Sequence, residues 1–183
     1  MKRKVRYFVS RYFQRRNIIQ ASMQKRTAQF QAFDSIGSVA ILGKPAQLDQ
    51  LNIVVKDLKD SGKTVFVFLI LSPQELAKTV GLEEKLSPDY YLIDPSEFSW
   101  KGGLVNSVEN AFLRTPCDAV FDFASDDVRF HQLLLLHPCP FRIGIADCGY
   151  PLYDFCILGD GTHALTDIYQ QIKKYLGSIR QAQ

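Results

Sequence analysis

Asp118-Ala119-Val120-Phe121-Asp122-Phe123, followed by Ser125-Asp126-Asp127, is the stretch on which the fold turns. It is apolar without alternation and too short for a surface helix, with Pro116 before it and an acidic cluster after it. A strand covered on both faces has this composition, and such strands belong to parallel sheets flanked by helices.

Working outward, strand and helix patterns alternate. Upstream, Ser38-Val39-Ala40-Ile41-Leu42 reads as a strand ended by Gly43. Pro45 then opens a helix with apolar Leu48, Leu51, Val54, Val55 and Leu58, closed by Ser61-Gly62. Thr64 to Leu71 is the second strand, Pro73 to Ser87 a short helix, and Tyr90 to Ile93 the third strand. A helix from Leu104 to Arg114 delivers the chain to the central strand. Downstream come a helix over Asp126 to Leu136, strands over Phe141 to Ile145 and Tyr153 to Leu158, and a last helix over Thr162 to Leu176, with Gly177 as its C-cap. The expectation is an α/β fold: one doubly wound, mostly parallel sheet of about six strands, with right-handed crossovers placing helices on both faces.

The formal net charge of +3 conceals an asymmetry. Residues 1–33 hold nine lysines and arginines and no acid, which leaves 13 basic against 19 acidic groups in the remainder, a balance of −6. In this basic arm Val5, Phe8, Val9, Tyr12, Phe13, Ile19 and Met23 recur at helical spacing, with Lys4, Arg11 and Arg15 on another face and Arg16 interrupting the apolar stripe. One long amphipathic helix is expected there, ahead of a Rossmann-like domain over residues 34–183. Its cations, Lys4, Arg11, Arg15 and Arg16 foremost, suit nucleic acid, a ribosome or an anionic membrane surface; its apolar stripe suits packing on the domain or a homodimer.

With 183 residues, 46% of them hydrophobic, the chain can bury roughly 70% of its unfolded surface without a metal or disulfide. Cys117, Cys139, Cys148 and Cys156 match neither a CxxC pair nor a zinc framework, and read as reduced, mostly buried thiols. No apolar run reaches the ~18 residues of a spanning helix, and no secretory signal opens the chain. A cytoplasmic protein, at most peripheral at an inner membrane surface, is the expectation.

No named chemistry emerges. Gly43-Lys44-Pro45 lacks the glycine spacing of a dinucleotide fingerprint or a P-loop, the three histidines show no metal-ligand spacing, and neither Ser72 nor Ser125 stands in a nucleophile elbow. No catalytic residue, cofactor or metal is assigned. Lys44, Ser72, Asp94, Asp122 and Ser125 fall near carboxyl ends of strands, where open α/β sheets take their ligands, and form the candidate set for an unidentified small molecule.

Ser35-Ile36-Gly37, Phe98-Ser99-Trp100-Lys101-Gly102, Phe121-Asp122-Phe123, Arg142-Ile143-Gly144-Ile145 and Tyr153-Asp154-Phe155-Cys156-Ile157, taken in order behind the basic arm, resemble a family of small bacterial proteins of unknown function. In that family a lysine- and arginine-rich helix precedes a compact α/β domain. More distantly, residues 118–123, the leucine-rich helix and residues 141–145 are similar to the N-terminal Rossmann-like half of lipopolysaccharide heptosyltransferases. That resemblance implies a nucleotide-sugar fold, but such enzymes need a second domain, and Gly43-Lys44-Pro45-Ala46 offers no acid where their catalytic one would lie. Three roles follow: a non-enzymatic binding or adaptor protein acting through the arm, which the charge split favours; a nucleotide- or sugar-binding domain; and a self-associating structural protein.

Overall fold

The first strand, β1 (Ser38–Gly43), is flanked in parallel by β2 (Thr64–Ile70) on one side and β4 (Ala119–Asp122) on the other. The computed structural model describes residues 27–72, 86–99, 104–106, 110–145, 150–157 and 163–179, with Arg16, Ile18, Ile19 and Glu75. Beyond β2 lies β3 (Tyr90–Ile93), and beyond β4 lie β5 (Phe141–Gly144) and β6 (Phe155–Cys156). The order is β3-β2-β1-β4-β5-β6, and every pairing is parallel.

Alternation along each strand sends side chains to two helical layers. Val39 and Ile41 of β1, Val65, Val67 and Leu69 of β2, and Phe121 of β4 pack with α1 (Leu48–Asp60) and α4 (Leu165–Ser178). Ala40, Leu42, Phe68 and Val120 face α2 (Ala111–Arg114) and α3 (Val128–Leu136). Each layer is tied by polar contacts at its margin. On the first, Asp57 of α1 accepts from Tyr169 (2.5 Å) and Lys173 (2.7 Å) of α4. The Lys173 hydrogen bond, then that of Tyr169, holds the Asp57 carboxyl below its ordinary value.

Three elements differ from the sequence expectation. Leu104 does not begin a helix: it forms an antiparallel bridge with Phe98, and α2 starts only at Ala111, because Asn110 supplies the cap. Its side-chain oxygen accepts from Leu113 N–H (3.2 Å), while its amide donates to Glu97 (2.8 Å). Gly177 lies inside α4, which runs to Ser178 and ends in an extended Ile179. The sixth strand is two residues long, since Tyr153 and Asp154 turn to other partners. Gly62, by contrast, closes α1 with a φ of 77°, the left-handed conformation that favours glycine. The expected helix over Pro73 to Ser87 lies outside the described residues except at Glu75, which is helical.

Of the basic arm, residues 27–33 and Arg16, Ile18 and Ile19 are described: the three single residues are helical, Ile18 buried and Arg16 exposed, whereas residues 27–32 form no helix and Phe33 opens a 3₁₀ turn (Phe33–Ser35), so the expected amphipathic helix does not run to the end of the arm. The chain that follows is fastened to the sheet. Gln29 N–H donates to Pro140 O (3.2 Å), the Phe30 and Phe141 rings meet at 5.5 Å, and Phe33 enters the core. Lys63, buried just before β2, donates to Phe33 O (2.7 Å) and Ile36 O (2.8 Å), with its ammonium 4.3 Å from the Phe33 ring centre. Burial lowers its pKa, yet the two carbonyls and the ring face satisfy the charge. Lys63→Met keeps the apolar stem and strips both carbonyls of their donor. It is expected to cost about 1–3 kcal/mol in denaturant unfolding at neutral pH, and an unchanged midpoint would show that the lysine pins nothing.

Candidate functional site

The connections reverse direction between β1 and β4, and the carboxyl ends of strands at such a switch point are where open α/β sheets bind ligands. Residues from both turns meet there. After β1, Gln47 closes the turn: its side-chain oxygen accepts from Lys44 N–H (2.9 Å), and its amide donates to Phe123 O (3.0 Å) in the turn after β4. The Lys44 ammonium contacts both carboxylate oxygens of Asp126, each at 2.7 Å. This turn is therefore braced by a glutamine side chain.

Asp122, last in β4 and 1% exposed, sits at the centre of the network. One oxygen accepts from Ala124 N–H (2.9 Å), the other from the Tyr153 hydroxyl (2.7 Å). Burial pushes its carboxyl up to about 7; the Tyr153 and Ala124 hydrogen bonds oppose the shift, and the nearby Asp127 and Asp126 add to it. Tyr153 reaches Asp122 by lying across Gly144, where a Cβ would come within 2.5 Å of the ring. Ser125 donates to Asp122 O (3.0 Å) and accepts from Ile145 N–H (3.1 Å). His131 of α3 closes the circuit: Nε2 donates to Ser125 O (2.7 Å), leaving Nδ1 to accept from the Tyr150 hydroxyl. Burial lowers the His131 pKa, consistent with this neutral tautomer.

The other sequence candidates stand apart. Ser72 and Glu75 form a reciprocal cap, with Ser72 N–H donating to the Glu75 carboxylate (2.7 Å) and Glu75 N–H to the Ser72 hydroxyl (3.2 Å). Asp94 accepts from Ser96 side chain and N–H, which holds its carboxyl below the ordinary value, and caps the short turn Pro95–Glu97. Asp127 caps α3 and binds Arg129 through both oxygens; burial alone would raise its pKa, but the Arg129 hydrogen bonds outweigh it and the net shift is downward. Arg129 also donates to Leu71 O (2.9 Å), joining α3 to the end of β2. Thus Asp122 and Ser125 meet directly, Lys44 joins their turn through Asp126, and Ser72 and Asp94 serve local caps. Lys4, Arg11 and Arg15 lie outside the described residues. A hollow of about 340 Å³ lies elsewhere, along β3 between Leu86, Pro88, Tyr90, Tyr91 and Ala111.

Sequence reasoning missed Tyr150, Tyr153, Gln47 and the role of His131, whose spacing to Asp122 follows no local motif. It also missed a second cluster at the opposite edge of the sheet. Cys117, His137 and Cys139 are all buried, and their potential ligand atoms lie within 4.8 Å of one another. The signal was present in the spacing: 22 residues separate the two cysteines, and Ala119 pairs with Phe141 at the same separation. Each cysteine therefore precedes its strand by two residues.

The fold defines a doubly wound, all-parallel α/β protein. The chain belongs to DUF6913, a family of unknown function whose profile matches residues 11–179. No curated protein and no solved structure matches it. No helix among the described residues is long and apolar enough to cross a membrane.

Asp122 generates a pH prediction with a definite sign. Its folded pKa of about 7 lies above the ordinary 3.8, so between these values the native state holds a proton that the unfolded chain releases. Stability contributed by protonated Asp122 is complete below the ordinary value and is lost as pH rises to about 7, by up to about 4 kcal/mol. His131 acts in the opposite sense, because the unfolded chain gains its proton first on acidification. Asp122→Asn preserves both contacts, since the Tyr153 hydroxyl can turn to accept. The variant's stability relative to wild type should rise from pH 5 to pH 8; parallel pH profiles would refute an uphill ionisation of Asp122.

Proposed function

We propose that this protein is a non-enzymatic binding or adaptor protein, in which the cationic N-terminal segment engages a phosphate-rich partner and the α/β domain is the scaffold that presents it. The observation that carries this reading is the charge split, nine cations and no acid in residues 1–33 against a balance of −6 in the remainder. Such a segment is attracted to polyanions by counterion release or by a negative surface potential. The structure supports the scaffold half of the reading in two ways. Through Gln29, Phe30 and Phe33, the last with Lys63, the end of the segment is tied to the sheet, so that a partner held by the segment is also held by the domain. At the carboxyl edge, Lys44, Ser72, Asp94, Asp122 and Ser125 each have internal partners that account for their presence.

The test uses the full chain, because removal of residues 1–33 would take Phe33 out of the core. Lys4, Arg11, Arg15 and Arg16 are replaced together by glutamine, and binding to duplex RNA and to anionic vesicles is followed from 50 to 200 mM salt. Binding to one of these should weaken steeply with salt in the wild type. For a nucleic acid the slope should fall by about 0.9 for each lost phosphate contact. Absence of low-salt binding to both, or binding indifferent to the four substitutions, would refute the proposal.

A second reading has its own support: the strand order places Asp122 at a β1/β4 switch point, as in Rossmann-type nucleotide-binding sheets. On this reading the Lys44–Asp126 pair opens to admit a nucleotide or nucleotide sugar, the ligand class implied by the heptosyltransferase resemblance. Nucleoside diphosphates and their sugars should then raise the thermal midpoint of the wild type, with the rise reduced at least tenfold in apparent affinity by Lys44→Ala. Flat melting curves across both series would dispose of it.

A further inference from the structure

We infer that Cys117, His137 and Cys139 form a three-coordinate site for a monovalent, thiophilic metal ion, Cu(I), at the amino edge of β4 and β5. The backbone brings the donors together. β4 and β5 are parallel neighbours, with Ala119 opposite Phe141, so Cys117 and Cys139 enter the sheet side by side. His137 ends α3 two residues before Cys139. The three are 8%, 2% and 1% exposed, and their potential ligand atoms lie within 4.8 Å of one another. Bond lengths of about 2.3 Å to sulfur and 2.0 Å to nitrogen place donors roughly 4 Å apart, so closing on an ion requires a contraction of under about 1 Å.

The imidazole is already oriented. Cys139 N–H can only donate, so His137 Nδ1 is its acceptor (2.9 Å), and Nε2 therefore carries the proton given to Thr115 O (2.9 Å). A backbone carbonyl holding the remote N–H of a ligating histidine is the usual outer-shell arrangement. It leaves the Nδ1 lone pair as the ligand atom, which exchanges the Cys139 N–H for the metal. The Phe112 ring, 4.5 Å from that of His137, fixes the imidazole plane.

Two thiols and one imidazole select a soft ion. The choice of Cu(I) over Zn(II) rests on coordination number and charge. Among the described residues the cluster holds three ligands, whereas structural zinc is almost always four-coordinate. Binding displaces one proton from each thiol, so two thiolates, one neutral imidazole and Cu(I) carry a net −1. Arg142 is 5% exposed and donates to His137 O at 2.8 Å, which puts a buried cation beside that charge. Zn(II) would make the centre neutral, with no net charge of its own for that cation to balance.

The test is a competition titration of the reduced, full-length protein under anaerobic conditions, with Cu(I) supplied as its coloured bicinchoninate complex and Zn(II) supplied from a chromophoric chelator in a parallel arm. The wild type should withdraw one equivalent of Cu(I), gain a near-ultraviolet thiolate-to-copper band, and show two sulfur neighbours and one nitrogen in copper-edge X-ray absorption. Cys117→Ser and Cys139→Ser should each weaken capture at least tenfold, and Cys156→Ser should leave it unchanged. The X-ray absorption on wild type decides the question even where a variant fails to fold. Failure to withdraw Cu(I), capture that persists in the Cys117→Ser/Cys139→Ser double variant, a sulfur-only shell, or capture of Zn(II) in place of Cu(I) would each overturn the assignment.

Discussion

The register between β1 and β4 depends on one carboxylate. Asp118, immediately before β4, accepts on a single oxygen from Gly37 N–H (2.9 Å), Ser38 N–H (2.7 Å) and the Ser38 hydroxyl (2.9 Å), all at the start of β1. In return Asp118 N–H donates to Ser38 O (3.1 Å). Burial opposes the charge, but the hydrogen bonds from Ser38 and Gly37 outweigh it and hold the carboxyl below its ordinary value. Side chains in a strand alternate, so a slip of one residue would exchange the two helical layers across the middle of the sheet. Asp118 fixes the pairing of Val39 with Ala119, and the order of the turns at both edges follows from it. Gly37 is part of the lock, since a Cβ there would stand 3.3 Å from the same oxygen.

The fold was legible because its strands are apolar runs with sharp ends. β1, β2, β3 and β5 lie within one residue of the expected stretches, which ran over residues 38–42, 64–71, 90–93 and 141–145. Helix α1 was legible because Gly62 closes it and its four buried side chains keep helical spacing, although Pro45 opens not the helix itself but the 3₁₀ turn (Pro45–Gln47) that leads into it. Misreadings arose where a local signal had a tertiary competitor. Leu104 and Val105 look like the first turn of a helix, but Phe98 and Glu97 claim their backbone. Gly177 looks like a stop, but Leu176 still faces the core and the helix continues.

The site was less legible, for a topological reason. Asp122 and Ser125 could be placed at a carboxyl edge from strand ends alone, whereas Tyr153 reaches Asp122 across 31 residues and Gln47 reaches Phe123, between them, across 76. Cys117 and Cys139 posed the same difficulty in reverse. Their separation meets no local motif, but it equals one complete strand-helix-strand crossover, and such a length acquires meaning only when the strands are known to be neighbours.

The manner in which the N-terminal chain joins the sheet has a mechanical consequence. Gln29 and Phe30 contact Pro140 and Phe141 at the start of β5, although the strand that follows them in sequence is β1. Along residues 27–37 a pull from the N-terminal side is therefore borne by the β5 contacts at Gln29 and Phe30 and by Lys63, which grips the chain at Phe33 and Ile36. The first yields by peeling one hydrogen bond and one ring pair; the second sits under the core and must break before β1 feels the load. The N-terminal chain is a tether with a graded release, compliant at residues 29 and 30 and stiff at residues 33 to 36.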